Sequence, residues 1–531
     1  MRYFDLAVIV GYLAGITWFG AHFRKRQRSL RDYFLGGRNA PWWAIGLSIV
    51  SAETSTLTII GTPALAFGGN LGFLQLVLGY LAARIAICLV FLPHYFRGEM
   101  FTAYELMRRR FGERIRKLAA GVFLVTRALA EGVRVFAVSL VISIVLGSGE
   151  VPSIALIVIL TLFYTFEGGM TAVIWTDVVQ MGLYVAGAIL SFAAILGRIP
   201  GGWDHLCAVA GAAHKLTVFD FRFSPDMAFF SRTYTFWAGL LGGCFLTTAS
   251  HGTDQLMVQR LLSARDQAQS RTALLASWGV VLFQFAIFLF IGLGLYVFYG
   301  DSHIAPPGRL DRIYPDFIWN RLPHGLAGLL IAAILAAAMA NLSAALNSLS
   351  STVVVDFFHA PAKGVSERNS LRLARLATVF WGAVLLAVAI GARYSRKSVL
   401  ETGLTIGSIP SGALLGVFLL GVLTRKPRER AAMAGMAAGL LAVGFVALWT
   451  PVAWTWYVPV GTVVTFSAGC FRSPARSATP NWPPRCPRPA PNTPTFARLM
   501  APCGASCIAG RKPGWGKAAP SPPWPRGSSI T

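Results

Sequence analysis

Acidic charge is what this sequence has least of. Of 531 residues only 22 are Asp or Glu, and charged residues of both signs make up just 13%. A chain so poor in charge and 55% hydrophobic, with its apolar runs spread evenly, excludes an ordinary water-soluble domain. Catalytic signatures are missing as well. There is no G-x-S-x-G, no H-E-x-x-H and no Walker loop, so the nucleophile elbow, the zinc-peptidase helix and the phosphate cradle are all absent. No nucleophile, base and orienting partner cluster together, and the chain reads as a non-enzyme. The seven cysteines show neither zinc-finger nor disulfide-framework spacing. Cys88, Cys207, Cys244 and Cys470 lie in or near apolar runs, and Cys486, Cys503 and Cys507 lie near the C-terminus. The first apolar segment, Phe4–Gly20, lacks a basic leader and a clear cleavage site, so it reads as a retained span.

What is present is a succession of apolar runs, which makes the chain an all-α polytopic membrane protein with about 13 transmembrane helices. The expected spans are 4–22, 42–67, 72–96, 118–147, 151–167, 172–197, 232–255, 272–299, 324–358, 371–392, 399–423, 429–450 and 453–470. The net charge of +25 could suggest a nucleic-acid partner, but the basic residues fall in short clusters between spans. One set of loops carries Arg24–Arg38, Arg97–Lys117, Arg260–Arg271, Lys363–Arg375 and Arg425–Arg430, and outweighs the other set more than twofold. The positive-inside rule then places the N-terminus outside and the C-terminus in the cytoplasm of a cell (inner) membrane. Two outer loops, about 198–231 and 300–323, are long and are candidates to fold over the mouth. Residues 471–531 hold about half of the 29 prolines and no Asp or Glu, so they are expected to be a disordered tail outside the 1–470 transmembrane domain. Their Pro, Arg, Cys and Trp content also resembles the wrong-frame translation of a GC-rich gene.

The second apolar stretch, Trp42–Phe67, organises the rest. Its centre, Ser51-Ala52-Glu53-Thr54-Ser55-Thr56, is polar and carries a carboxylate at bilayer depth, where a charge costs roughly 2.5–3.5 kcal/mol. Hydroxyl residues loosen a helix there, and Pro63 removes a donor further on. A break of this kind survives only where it lines a cavity, and broken helices commonly form ion or solute sites. The ninth stretch offers small residues for close packing, together with Asn341, Ser343, Asn347, Ser348, Ser350, Ser351 and Thr352. That oxygen density opposite a broken helix suits a hard cation such as sodium. Arg127, Glu131 and Arg134 form one stripe at i, i+4 and i+7, which reads as a structural charge cluster. Arg84 stands alone in the third stretch and needs a carboxylate such as Glu53 or Glu131, or an anionic ligand. His94, His251 and His359 read as structural.

Three motifs resemble the sodium:solute symporter family, which includes sodium/glucose, sodium/proline and sodium/iodide carriers. They are Asp32-Tyr33-Phe34-Leu35-Gly36-Gly37-Arg38 before Trp42-Trp43, the run from Tyr164 through Gly168-Gly169 and Trp175-Thr176-Asp177 to Gln180, and Gly252-Thr253-Asp254-Gln255 to Gln259-Arg260. The resemblance covers about residues 1–470. It implies a leucine-transporter-like 5+5 inverted repeat, with core repeats about 42–197 and 232–423. By position it implies a sodium site from backbone oxygens of Ser51 and Thr54 with Ala337, Ala340 and Asn341. Many members have two adjacent hydroxyl residues where this chain has Ala340-Asn341. The resemblance places solute contacts at Glu53, Ser55, Thr247 and Ser250, and Asp177 on the sodium exit route. Sugar carriers have an acidic residue at the position of Val77 and an aromatic gate at that of Ser250, so both departures argue against a sugar. With Arg84 added to the solute residues, a small carboxylate or amino acid is preferred. The expectation is a secondary transporter in which Na+ is the coupling ion. Its partners are a small solute and the lipid bilayer, with no nucleic acid and no obligate protein partner. The alternatives are a proton-coupled or uncoupled carrier, with Glu53 as the proton site, and a transporter-derived membrane sensor.

Overall fold

The structure is a computed structural model that describes residues 2–22, 39–97, 103–164, 170–224, 226–353, 367–395 and 397–471. The Asp32–Arg38 motif, residues 165–169 of the second motif, and the tail beyond Phe471 lie outside the described residues. Those that are described belong to one unit, Met1–Ser473. They are helical, with a single isolated bridge between Ala40 and Ala264.

Each of the thirteen apolar stretches contains helix. In chain order these are α1 (Tyr3–His22), α2 (Trp42–Glu53), α3 (Thr56–Gly68), α4 (Leu74–Ala86), α5 (Glu113–Leu146), α6 (Glu150–Tyr164) and α7 (Met170–Leu196). They continue with α8 (Gly243–Gly252), α9 (Gln255–Leu262), α10 (Gln267–Asp301), α11 (Leu326–Thr352), α12 (Glu367–Ala392), α13 (Val399–Leu423), α14 (Glu429–Trp449) and α15 (Tyr457–Phe471). By length and composition, 8 of the described helices can cross a bilayer, and α2 with α3 make one further, bent span. α1 and α6 are apolar over shorter lengths.

The helices pack in three groups. In the first, α10 packs on α2, α3 and α4, and α8 packs on α4; α5, α6, α11 and α12 form a second group; α13, α14 and α15 form a third. Glycine sets the first group. A Cβ on Gly79 of α4 would lie 2.4 Å from the Gly239 carbonyl oxygen and 2.8 Å from the Cys244 nitrogen, and one on Gly243 would lie 2.4 Å from the Leu76 carbonyl oxygen. Backbone therefore meets backbone here, an approach only small residues permit. Just before α8 the chain makes a π-helical turn, Ala238–Gly242, and a second interrupts the run from α4 at Ile87–Phe91. Such turns commonly mark functional helices.

α10 lies along both halves of the broken span. Near one end the Ala273 carbonyl oxygen would sit 3.2 Å from a Cβ on Gly46, and near the other the Pro63 carbonyl oxygen would sit 2.3 Å from a Cβ on Gly292. Gly79→Ala should cost about 1–3 kcal/mol through overpacking against immovable backbone. Gly279→Ala, on the same set of helices with nothing within 4 Å, should be neutral. Thermal unfolding of the two variants in detergent checks the contrast.

Candidate functional site

The break comes where the sequence places it. α2 ends at Glu53, Thr54 adopts φ −80°, ψ 96°, and α3 begins after Ser55 at φ −98°, ψ 170°. The two halves meet at 64°. The Thr54 hydroxyl donates to the Val50 carbonyl oxygen at 2.7 Å, the local competition by which Thr and Ser unsettle a helix. Pro63 lies inside α3, away from the break. Among the described residues, no backbone amide bonds the carbonyls of Ser51, Ala52, Glu53 or Thr54. These oxygens sit at the negative end of the α2 dipole.

Glu53 is held from two sides. The Arg84 guanidinium donates to Glu53 Oε2 at 2.6 Å, and His251 Nε2 lies 3.3 Å from the same oxygen. Arg84 is fully buried, with its Nε donating to Ser277 Oγ at 3.1 Å. The ambiguity over the partner of Arg84 is thus resolved in favour of Glu53, and Arg84 stands behind that carboxylate rather than on a cavity wall. His251, read from sequence as structural, is itself a lining residue, with Nδ1 2.9 Å from Ser250 Oγ.

A cavity of 290 Å³ opens against the break, lined by Glu53, Ser55, Thr247, Ser250, His251 and Asn341 among others. It therefore gathers side chains from the break, α8 and α11 that are far apart in sequence. Arg127 and Arg134 line it too. Both pair with the buried Glu131, Arg127 at 2.9 Å, and the Nε atoms of both are buried without a hydrogen-bond partner. Two guanidinium groups share one carboxylate, which leaves unit positive charge on that wall. At one end Phe73 separates this cavity from a second of 590 Å³ lined by Asn70, Tyr234, Arg309, Asp311 and Lys397. Phe73 contacts the Phe285 ring at 5.0 Å and the Tyr234 ring at 5.8 Å, and Tyr234 Oη donates to Glu401 Oε1 at 2.8 Å. At the other end the lining includes Tyr104, Asp254, Met257 and Arg260.

The expected ion ligands divide. Asn341 faces the second half of the broken span, across a 10 Å³ void it shares with Ser55, Thr56, Glu131 and Arg134, about the room one water-sized sphere needs. Ala337 and Ala340 lie in the same helix, α11. The Ser51 side chain, as distinct from its carbonyl, lies with Oγ 3.5 Å from Asp177 Oδ1. Asp177 also receives Ser48 Oγ at 2.5 Å and the Arg260 guanidinium at 3.0 Å. This network ties α2, α7 and α9 together, and it pairs one acidic residue of the second motif with the arginine of the third. Among the described residues, no cluster of three or more His, Cys, Asp or Glu could hold a metal ion, so oxygen from backbone and amides is what the site offers a cation.

Comparisons with known proteins bear on the family and the fold. The sequence model of the sodium:solute symporter family matches residues 33–439. The human sodium/iodide cotransporter is 29% identical over 471 residues, covering 86% of this chain and 70% of that protein. The sodium/sialic acid symporter SiaT of Proteus mirabilis is 28% identical over 487 residues, covering 89% and 95%. Among solved structures, the substrate-bound, outward-open state of a Na+-coupled sialic acid symporter matches with a TM-score of 0.78 at 28% identity, over 89% of this chain and 98% of that one. A nucleobase-cation-symport-1 family transporter in a closed conformation matches at 0.54 and 11% identity, over 82% and 93%. The fold is therefore the leucine-transporter-like one.

The Glu53–Arg84 pair should be needed as a pair. Arg84→Met leaves a nearly buried carboxylate uncompensated and should destabilise by about 3 kcal/mol, the lower end expected because His251 remains beside it. Combining it with Glu53→Gln should recover most of that loss, as read from melting temperatures of the two single variants and the double.

Proposed function

The chain belongs to the sodium:solute symporter family, and on that premise we propose that it imports a small carboxylate or amino acid by coupling it to inward Na+ movement. The observation that carries this is the broken span, whose Ser51–Thr54 carbonyls no backbone amide of the described residues bonds, beside a cavity that Asn341 also lines. Sodium binds in this proposal between α2 and α11, to carbonyl oxygens of Ser51, Thr54 and Ala337 and to the amide oxygen of Asn341. Ala340 supplies no hydroxyl, so binding is weak. In this proposal, ion binding draws the Ser51–Thr54 carbonyls and the Asn341 amide together. Movement of that kind is what links ion and solute affinities reciprocally. Sodium entry down about 100 mV contributes about 2.3 kcal/mol per charge.

The solute site comprises Glu53, Ser55, Thr247 and Ser250, with Arg84 acting through Glu53. Preference for an anionic group rests on Arg127 and Arg134, which share Glu131 and line the cavity. The N-terminus lies outside and the C-terminus in the cytoplasm, from the distribution of basic loops. In that orientation the end near Arg260 faces the cytoplasm, Phe73, Phe285 and Tyr234 close the outer side, and Asp177 lies on the ion exit route. Sodium leaving there must compete with Arg260 for that carboxylate. A proton-linked carrier is the second reading, favoured by His251 Nε2 at 3.3 Å from Glu53.

Uptake into proteoliposomes of labelled pyruvate, sialic acid, proline and glucose, with and without a Na+ gradient, tests solute and ion together. Asn341→Ala should abolish Na+ dependence in a folded protein. Ala340→Ser should tighten Na+ somewhat under tenfold, since one added neutral ligand contributes about 1 kcal/mol. Glu53→Gln should leave Na+ binding largely intact. Full Na+ dependence in Asn341→Ala, with all coupling lost in Glu53→Gln, would replace this reading with the proton-linked one. The topology has its own check. Cysteines placed in the 97–117 and 198–231 loops should label from opposite faces, and labelling from one face contradicts the orientation.

A further inference from the structure

α10 is apolar through the membrane, and between Leu274 and Tyr296 its only side chains with amide or hydroxyl groups are Ser277 and Gln284. Both are buried. They stand seven residues apart, two turns along one face. Both are used at the break: Ser277 accepts from Arg84, which holds Glu53, and Gln284 meets Thr54. Gln284 Nε2 donates to Thr54 Oγ1 at 2.7 Å, and Thr54 Oγ1 donates to the Val50 carbonyl oxygen at 2.7 Å. A buried amide in such a helix is retained at a cost unless it is bonded. Here its bond falls on the one residue whose ψ of 96° ends α2.

We infer that Gln284 is a positioning residue for the coupling ion, an inference that rests on the sodium reading above. By fixing the Thr54 hydroxyl, it holds the Thr54 peptide out of helical geometry and keeps the Ser51–Thr54 carbonyls from closing into backbone hydrogen bonds. It acts through Thr54 and need not touch the ion. The Val50 carbonyl, capped twice by Thr54 through its amide and its hydroxyl, is removed from the set available to a cation, which restricts ligation to the four carbonyls that follow. Gln284 belongs to the same helix group as the broken span, so the bond travels with the break when the groups move relative to one another.

The test uses the purified full-length chain with Na+ itself as the probe, following thermal unfolding across a NaCl titration at constant chloride with choline. Gln284→Leu and Thr54→Val should each raise the half-saturating Na+ concentration about tenfold, the consequence of losing roughly 1.4 kcal/mol of preorganisation. Their melting temperatures in choline alone should stay close to that of the parent chain. Thr54→Ser, which keeps the hydroxyl, should retain the parent response. The double variant Gln284→Leu/Thr54→Val should respond no worse than either single, as expected of two groups acting through one bond. A merely structural glutamine would instead lower melting equally in both salts and leave the Na+ midpoint unmoved, and that result overturns the inference. Should Gln284→Leu fail to fold, Thr54→Val decides alone by the same midpoint. A parent chain indifferent to Na+ overturns the sodium reading and this inference with it, whereas a responsive parent beside an equally responsive Gln284→Leu overturns only the inference.

Discussion

Everything in this molecule answers one constraint: backbone carbonyls at bilayer depth must be bonded or must face a cavity. The span from Trp42 to Gly68 violates helical continuity at Thr54–Ser55, and the neighbouring helices are arranged around that violation. α10 runs alongside both halves and contributes Ser277 and Gln284. α4 contributes Arg84, buried completely so that Glu53 can keep its charge. α8, packed on α4 through glycine backbones, brings Thr247, Ser250 and His251 to the same cavity. Remove the break and none of these polar groups has a reason to be inside a membrane.

The electrostatics follow a related logic. Three intramembrane carboxylates meet a guanidinium: Glu53 with Arg84, Glu131 with Arg127 and Arg134, and Asp177 with Arg260. Glu53 is satisfied within a single helix group and stays so when that group moves. Asp177 instead links α2 to α7 and α9 through Ser48 and Arg260, so its bonds must change if α2 shifts. Phe73, Phe285 and Tyr234 form an aromatic plate between two cavities, and a hydrogen bond from Tyr234 to Glu401 ties that plate to α13.

Much of this was legible in the sequence for a physical reason. Hydrocarbon tolerates so few polar residues that each one announces itself, and the Ser51–Thr56 cluster, Arg84 and the Arg127–Arg134 stripe all stood out against apolar surroundings. The spans were legible from apolar length, although bilayer-crossing length and composition hold for fewer than thirteen of the described helices. Pairing was harder. Arg84 had two candidate carboxylates, and only the fold, which lays α4 and both halves of the broken span against α10, selects Glu53 over Glu131. His251 looked structural because a lone histidine near a span end carries no spacing signal, and its place on the cavity depends on where α8 ends. Gln284 carries no spacing or motif signal in the sequence. It was nevertheless the one amide in a long apolar run, the same signal that had marked Arg84.

The central claim is that the break is a sodium site, and the unmodified protein tests it most directly. Thermal unfolding in detergent should show saturable stabilisation by Na+ that K+ and choline at equal ionic strength do not reproduce. At one hundred times the dissociation constant, ligand linkage sets that stabilisation at about 2.7 kcal/mol. Equal stabilisation by all three salts, or none by any of them, would contradict the account.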